Sequence, residues 1–138
     1  MDNAKRRVVV LPCSGIGKAY GALSREIAYE LAERVRPEKI AMTCLPLLVI
    51  NDPDAVRLVK ENPVITIDGC PRECAKKSLE AAGGEASHAC QTIKFFMAHK
   101  DLKPEGVTQL NEAGLKLAKL AAEELAQTVD RLAAGEKQ

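Results

Sequence analysis

Five cysteines are the side chains of this chain with chemistry to offer, and where they fall matters more than how many there are. Cys13 follows a short apolar run and Pro12. Cys44 ends a second such run, and Cys70 follows a third, with Cys74 four residues further on. Thiolates are soft ligands and strong nucleophiles, so four of them brought together can hold zinc or an iron–sulfur cluster, or exchange disulfides. An odd number of cysteines without a secretory leader argues against disulfide staples and for a reducing, cytoplasmic setting. Lys5, Arg6 and Arg7 ahead of residues 8–11 and Cys13 look faintly like a charged leader before a lipidated cysteine. The apolar part falls well short of the roughly 7 to 15 residues a leader core needs.

Whether the thiols meet depends on the elements that carry them. Residues 7–11, β-branched and closed by Pro12, read as a buried strand. Over residues 18–36, Leu23, Ile27, Leu31 and Val35 recur every fourth position, the pattern of a helix resting one face on a sheet, and Pro37 ends it. Residues 39–44 form a second strand closed by Pro46. Asp52 then caps a helix with Pro53 at its first position, running to about Asn62. Residues 64–68 read as a third strand, and residues 71–82 as a helix stopped by Gly83 and Gly84. A weaker strand covers residues 88–96 through Cys90, Thr92, Ile93, Phe95 and Phe96. Leu110, Gly114, Leu117, Ala121, Leu125, Val129 and Leu132 then step through a long C-terminal amphipathic helix.

This alternation predicts one α/β domain over residues 1–138: a doubly wound, Rossmann- or flavodoxin-like, mainly parallel sheet with right-handed crossovers. The carboxyl ends of its strands share one edge, the edge where such sheets bind ligands. Cys13, Cys44, Cys70 and Cys74 are therefore expected to converge there, whereas cysteines serving as core filler would scatter. Composition narrows the partners. A net charge of +1 denies a field that would attract nucleic acid, and two Phe, two Tyr and no Trp deny a stacking platform for bases. No apolar run approaches the roughly 18 to 20 residues a bilayer helix needs. A metal ion is the expected partner, and a homodimer through the long helix stays open.

In Cys70-Pro71-Arg72-Glu73-Cys74, Pro71 at the first helical position would make Cys70 the N-cap and Glu73 the third residue of a capping box. Helix amides together with Arg72, Lys76 and Lys77 would then favour a thiolate. Residues four apart on a helix hold their Cβ atoms about 5 to 6 Å apart, beyond the roughly 3.5 to 4.5 Å of a disulfide. Zinc holds its sulfurs about 3.8 Å apart and tolerates the wider pair. An N-cap residue can still swing inward. Thiol redox chemistry, with Cys70 attacking and Cys74 or Cys13 resolving, thus remains the alternative. Ferredoxin spacings are absent and Lys77 stands where a C-x3-C-x2-C pattern needs its third cysteine, so zinc leads over an iron–sulfur cluster. Four thiolates around zinc carry a charge of minus two, which Lys76, Lys77, Arg72 or Lys18 can offset nearby, and Asp68 can orient the loop. Four protein ligands close the shell, which points to a structural or regulatory ion, and no catalytic residue is assigned.

Ser14 to Gly21 matches neither the Walker spacing nor the dinucleotide fingerprint and reads as a tight turn that lets Cys13 approach its partners. Ala19 stands where a phosphatase loop would need its arginine. His88 reads as a satisfied histidine, with a substitute ligand from His88 or Cys90 as the lesser reading. Residues 47–50 read as core or site cover. If exposed, they would suit a metal-handling or adaptor module that meets a partner there.

With Cys13-Ser14-Gly15, Cys44-Leu45 and the stretch from Asp68-Gly69-Cys70-Pro71 to Lys77 in view, the chain resembles the DGC-domain family. These are small prokaryotic proteins described as zinc-binding and named for their Asp-Gly-Cys signature. The likeness covers roughly residues 8–84. It implies one zinc on the four cysteines that the family shares, here Cys13, Cys44, Cys70 and Cys74, and it supplies no reaction. Residues 46–50 lack the glycines that many members carry after the second cysteine.

Overall fold

Three successive valines commit the first described segment to an extended chain, because β-branched side chains pack well on a pleated surface covered on both faces. The structure, a computed structural model, describes residues 7–15 and 17–135. Lys5 and Arg6 of the leader-like stretch and Ile16 of the glycine loop lie outside the described residues. Strand β1 (Val8–Pro12) pairs in parallel with β2 (Ile40–Met42) on one side and β3 (Val64–Asp68) on the other. Strand β4 (His88–Gln91) adds in parallel to β3, giving the order β2-β1-β3-β4.

Helices cover both faces, as the alternating pattern requires. On one face Val8, Val10, Ile65 and Ile67 meet Leu23 and Ile27 of α1 (Ala19–Glu30) and Leu117, Leu125 and Val129 of α6 (Glu112–Ala133). On the other, Val9, Leu11 and Val64 meet Leu48 of α2 (Leu45–Val49), Ala55 and Val59 of α3 (Pro53–Glu61) and Leu79 of α4 (Cys74–Ala81). The fold is thus α/β with an all-parallel sheet and a long C-terminal helix. No helix among the described residues is long and apolar enough to cross a membrane.

The first helix continues into a π-helical turn, Leu31–Val35, marked by Arg36 N–H donating to the Leu31 carbonyl at 2.9 Å. Its cause lies in the spacing of the apolar residues. Side chains every fourth position advance about 40° per step around an α-helix. By Val35 they would have left the sheet, and the wider π-turn brings them back.

Four sequence expectations are corrected. Strand two stops at Met42, and Cys44 is instead the residue that precedes α2. Residues 45–49 are helical, not a strand end closed by Pro46. The helix expected over residues 71–82 begins at Cys74, three residues later, as α4. Residues 92–98 form α5 (Thr92–Ala98), not a continuing strand: Phe95 and Phe96 turn into the α1/α6 core, and Thr92 donates its hydroxyl to the Tyr20 carbonyl at 3.1 Å. Asp52 and Pro53 open α3 as expected, with the Asp52 carboxylate accepting from Ala55 N–H at 3.0 Å.

The last helix is fastened near its end. Asp130 accepts from Arg36 Nε at 2.8 Å, from Arg36 Nη2 at 2.9 Å and from Lys39 Nζ at 2.9 Å, tying α6 to the turn before β2. The Arg36 guanidinium holds this carboxyl well below the usual carboxylate range, at about 2. A carboxyl depressed by folding stabilises the folded form above its unfolded value, and that contribution is lost as the pH falls. Stability is therefore expected to drop between about pH 4 and pH 2, by no more than about 1 kcal/mol because the pair is partly exposed. Urea titrations across that window should show the slope flatten in Asp130→Asn.

Candidate functional site

Strand β1 lies between β2 and β3, so the chain leaves it in one direction through α1 and reaches β3 from the other side through α2 and α3. Such a reversal opens a crevice at the carboxyl ends of the strands. Pairing of Pro12 with Ile67 sets the ends of β1 and β3 level, and Cys13 N–H extends that ladder to the Ile67 carbonyl at 2.9 Å.

Cys13, half-buried, stands directly after β1 at the mouth of this crevice. Its Sγ accepts from Gly69 N–H at 3.2 Å and lies 3.4 Å from Ser24 Oγ. Close approach of backbones makes this possible. A Cβ on Gly69 would lie 2.7 Å from Gly21 N, and one on Gly21 would collide with the Gly15 carbonyl oxygen. The loop after β1, the start of α1 and the turn after β3 thus touch through glycines, which gives the glycine loop the spacing role expected of it. Ser14 takes a left-handed conformation (φ 53°) to make the bend.

Cys44 is exposed. It shares with Cys13 an open cleft of about 600 Å³, walled by Pro12, Tyr29, Met42, Leu45 and Pro46 and bordered by Arg25. Cys70, half-buried, sits in the turn after β3, and Cys74, exposed, is the first residue of α4. The four thiols therefore occupy one edge of the sheet. Among the described residues, however, no three Cys, His, Asp or Glu side chains are grouped closely enough to hold a metal ion as they stand.

The turn that carries Cys70 departs from the expected capping box. Glu73 N–H donates to the Cys70 carbonyl at 3.2 Å, closing residues 70–73 as a turn with Pro71 inside it, and Glu73 itself is left-handed (φ 54°). The amides that open α4 belong to Asp68, whose carboxylate accepts from Ala75 N–H at 2.8 Å and from Lys76 N–H at 3.2 Å. Cys70 is therefore not the cap of the helix. Burial pushes the Asp68 carboxyl up, while the two amides and the Lys76 ammonium pull it back. Asp68 thus ties the end of β3 to the first amides of α4. Lys76 is half-buried beside it, and Lys77 is exposed, its amide bonded to the Glu73 carbonyl.

The remaining candidates lie elsewhere. His88 opens β4, about 10 Å back from the carboxyl edge at the rise of a strand. Cys90 donates its S–H to the Thr66 carbonyl at 3.3 Å, and burial pushes its thiol up to about 12. In residues 47–50 the roles split: Leu48 is buried in the core, whereas Val49 and Ile50 are 65% and 71% exposed.

Sequence reasoning missed Ser24. It is fully buried on α1, donates to the Gly21 carbonyl at 2.6 Å and accepts from Ser14 N–H at 3.2 Å, so it braces the loop that presents Cys13. A signal was available: Ser24 is a hydroxyl on the same helical stripe as Gly21 and Ala28, where an apolar residue would be expected.

No curated protein and no solved structure matches this chain. The model of the DGC domain matches residues 9–129, which takes in every element from β1 to most of α6 and all four edge cysteines. With the Asp-Gly-Cys segment seated at the mouth of the crevice and matched over nearly its whole length, the chain belongs to the DGC-domain family.

Proposed function

We propose that this chain is a zinc-binding protein that holds one ion through Cys13, Cys44, Cys70 and Cys74. One observation carries the reading: four of its five cysteines stand within two residues of the ends of three adjacent strands, or open the helix that follows, while the fifth, half-buried, lies within strand β4. The donor set fits by type, since four thiolates select zinc or iron over hard cations. Their spacing adds a condition. Because no three donors are grouped in the present arrangement, the turn around Cys70 and the exposed Cys44 must close on Cys13 when the ion binds.

Bound in this way, zinc supplies a closed thiolate centre, structural or regulatory in character. The chain's own residues set the rest. Gly69 N–H fixes the Cys13 sulfur, Asp68 holds the start of α4, whose first residue is Cys74, and the Lys76 side chain supplies positive charge beside the carboxylate. Such a site needs a reducing compartment to keep its thiols free, which favours the cytoplasm.

Metal and thiol analysis of protein purified without oxygen tests the proposal. One zinc per chain is expected, and Cys44→Ser should lower zinc retention. Unchanged zinc in that variant would remove Cys44 from the set. Metal-free protein carrying a reversible disulfide at Cys70 would replace the reading with thiol redox chemistry.

A further inference from the structure

We infer that Ser24 is a positioning residue for Cys13, holding its sulfur in both the free and the metal-bound state by turning one hydroxyl. The inference rests on the zinc reading for its second half and on hydrogen-bond accounting for its first. A serine hydroxyl has one proton to give and two lone pairs to receive. At Ser24 the proton goes to the Gly21 carbonyl at 2.6 Å, and Ser14 N–H fills one lone pair at 3.2 Å. One lone pair is left, and the atom facing it is Cys13 Sγ at 3.4 Å. The free thiol therefore donates S–H to Ser24 while its sulfur accepts from Gly69 N–H at 3.2 Å, so every group in the cluster is satisfied.

A sulfur bound to zinc carries no proton. Left as it is, the Ser24 lone pair would then point at an anionic sulfur. Rotation about the Ser24 Cβ–Oγ bond alone reverses the contact, leaving the oxygen where it is and bringing O–H onto the sulfur. The Gly21 carbonyl can release it, because a carbonyl inside a helix also receives the amide four residues on. Cys13 then keeps two donors, the Ser24 hydroxyl and Gly69 N–H, both from segments packed closely against the Cys13 loop. Ser24 is fully buried on α1, and Gly69 lies in backbone contact with Gly21. Groups that hydrogen-bond a ligand in this way orient it and tune its hold on the metal.

Two measurements on Ser24→Ala test the assignment, with Ser24→Thr as the variant that keeps a hydroxyl and melting curves to show that each folds. Zinc competition against a chelating dye should show affinity reduced about tenfold to hundredfold in Ser24→Ala. The sulfur-to-metal charge-transfer band of the cobalt-loaded protein should shift, and Ser24→Thr should restore both. In metal-free protein, alkylation of Cys13 relative to Cys44 within the same chain should move away from its wild-type value by roughly fivefold in Ser24→Ala, the scale of one hydrogen bond, because the sulfur is no longer held between Ser24 and Gly69. Wild-type zinc affinity, an unmoved band and an unchanged Cys13-to-Cys44 ratio in a folded Ser24→Ala would overturn the assignment. Wild-type protein that binds no zinc would sink the zinc reading alone, and the alkylation ratio would then decide the pairing of Ser24 with Cys13 by itself.

Discussion

Replacing Gly21 by alanine is expected to cost about 3 kcal/mol of stability, roughly 10 °C in melting temperature for a domain of this size. The added carbon would run into the Gly15 carbonyl oxygen, with the Gly15 Cα and C atoms only 2.9 Å away. All three are backbone atoms, so no side chain can swing aside. Relief requires moving either the loop after β1 or the start of α1, and both are anchored: Cys13 N–H is bonded to Ile67, and Gly17 N–H to the Val107 carbonyl at 3.1 Å. A shift there also pulls Gly21 from Gly69, whose own Cβ position lies 2.7 Å from Gly21 N, and so disturbs the Gly69 N–H contact to Cys13. Gly15→Ala is the control, because a Cβ at Gly15 meets nothing nearer than 3.9 Å. Urea unfolding of the two variants should separate them by at least about 2 kcal/mol. Equal stabilities would mean that the crevice is looser than its backbone contacts imply.

The parts of this fold that were legible in the sequence are those where two independent signals agreed. β1 and β3 combine β-branched runs with bounding prolines, α3 combines Asp52 with Pro53, and α6 repeats its apolar stripe over 22 residues. Where one signal stood alone, it misled. Thr92 to Phe96 is rich in strand formers and continues the strand of residues 88–91, yet β propensity mostly records how a side chain fits a half-buried surface. Here the fit is to helices α1 and α6, with Tyr20 and Phe96 meeting edge to face at 6.2 Å. Pro46 looks like the end of a strand but sits in the first turn of α2, because proline's fixed φ suits either position.

The site shows the same ambiguity on a smaller scale. Pro71 serves equally well as a first helical residue or as the second residue of a turn, and its φ is the same in both. What decided between them was Asp68, whose carboxylate reaches from the end of β3 to the amides of Ala75 and Lys76 and so sets the helix start at Cys74. Spacing alone hides such a cap, since the donor and acceptor are seven and eight residues apart. The common edge for Cys13, Cys44, Cys70 and Cys74 was readable because strand direction fixes it. Their separations along that edge were not, because they depend on turns of two to six residues.

On the zinc reading proposed above, stripping the ion from the loaded protein is expected to make four thiols per chain reactive while leaving the fold in place. Small zinc modules unfold without metal because they lack a core that could stand alone. This chain has apolar layers on both faces of its sheet, with Val8, Val9, Val10, Leu11, Ile65 and Ile67 fully buried, and none of those residues belongs to the cysteine edge. Chelation should therefore lower the melting temperature only by the binding free energy of the ion, with no loss of helical signal in circular dichroism. Cys90 should stay silent in the native protein. Its thiol, raised from 9.0 to about 12 by burial, has roughly a thousandth of the thiolate that an exposed cysteine offers at neutral pH. Counting thiols with an aromatic disulfide reagent should then give near zero before chelation, four after it and five in denaturant. Collapse of the helical signal on chelation would show that the ion, rather than the apolar layers, holds the sheet together. A native count of five would show that the partial burial of Cys90 against the core does not shield its sulfur from the reagent.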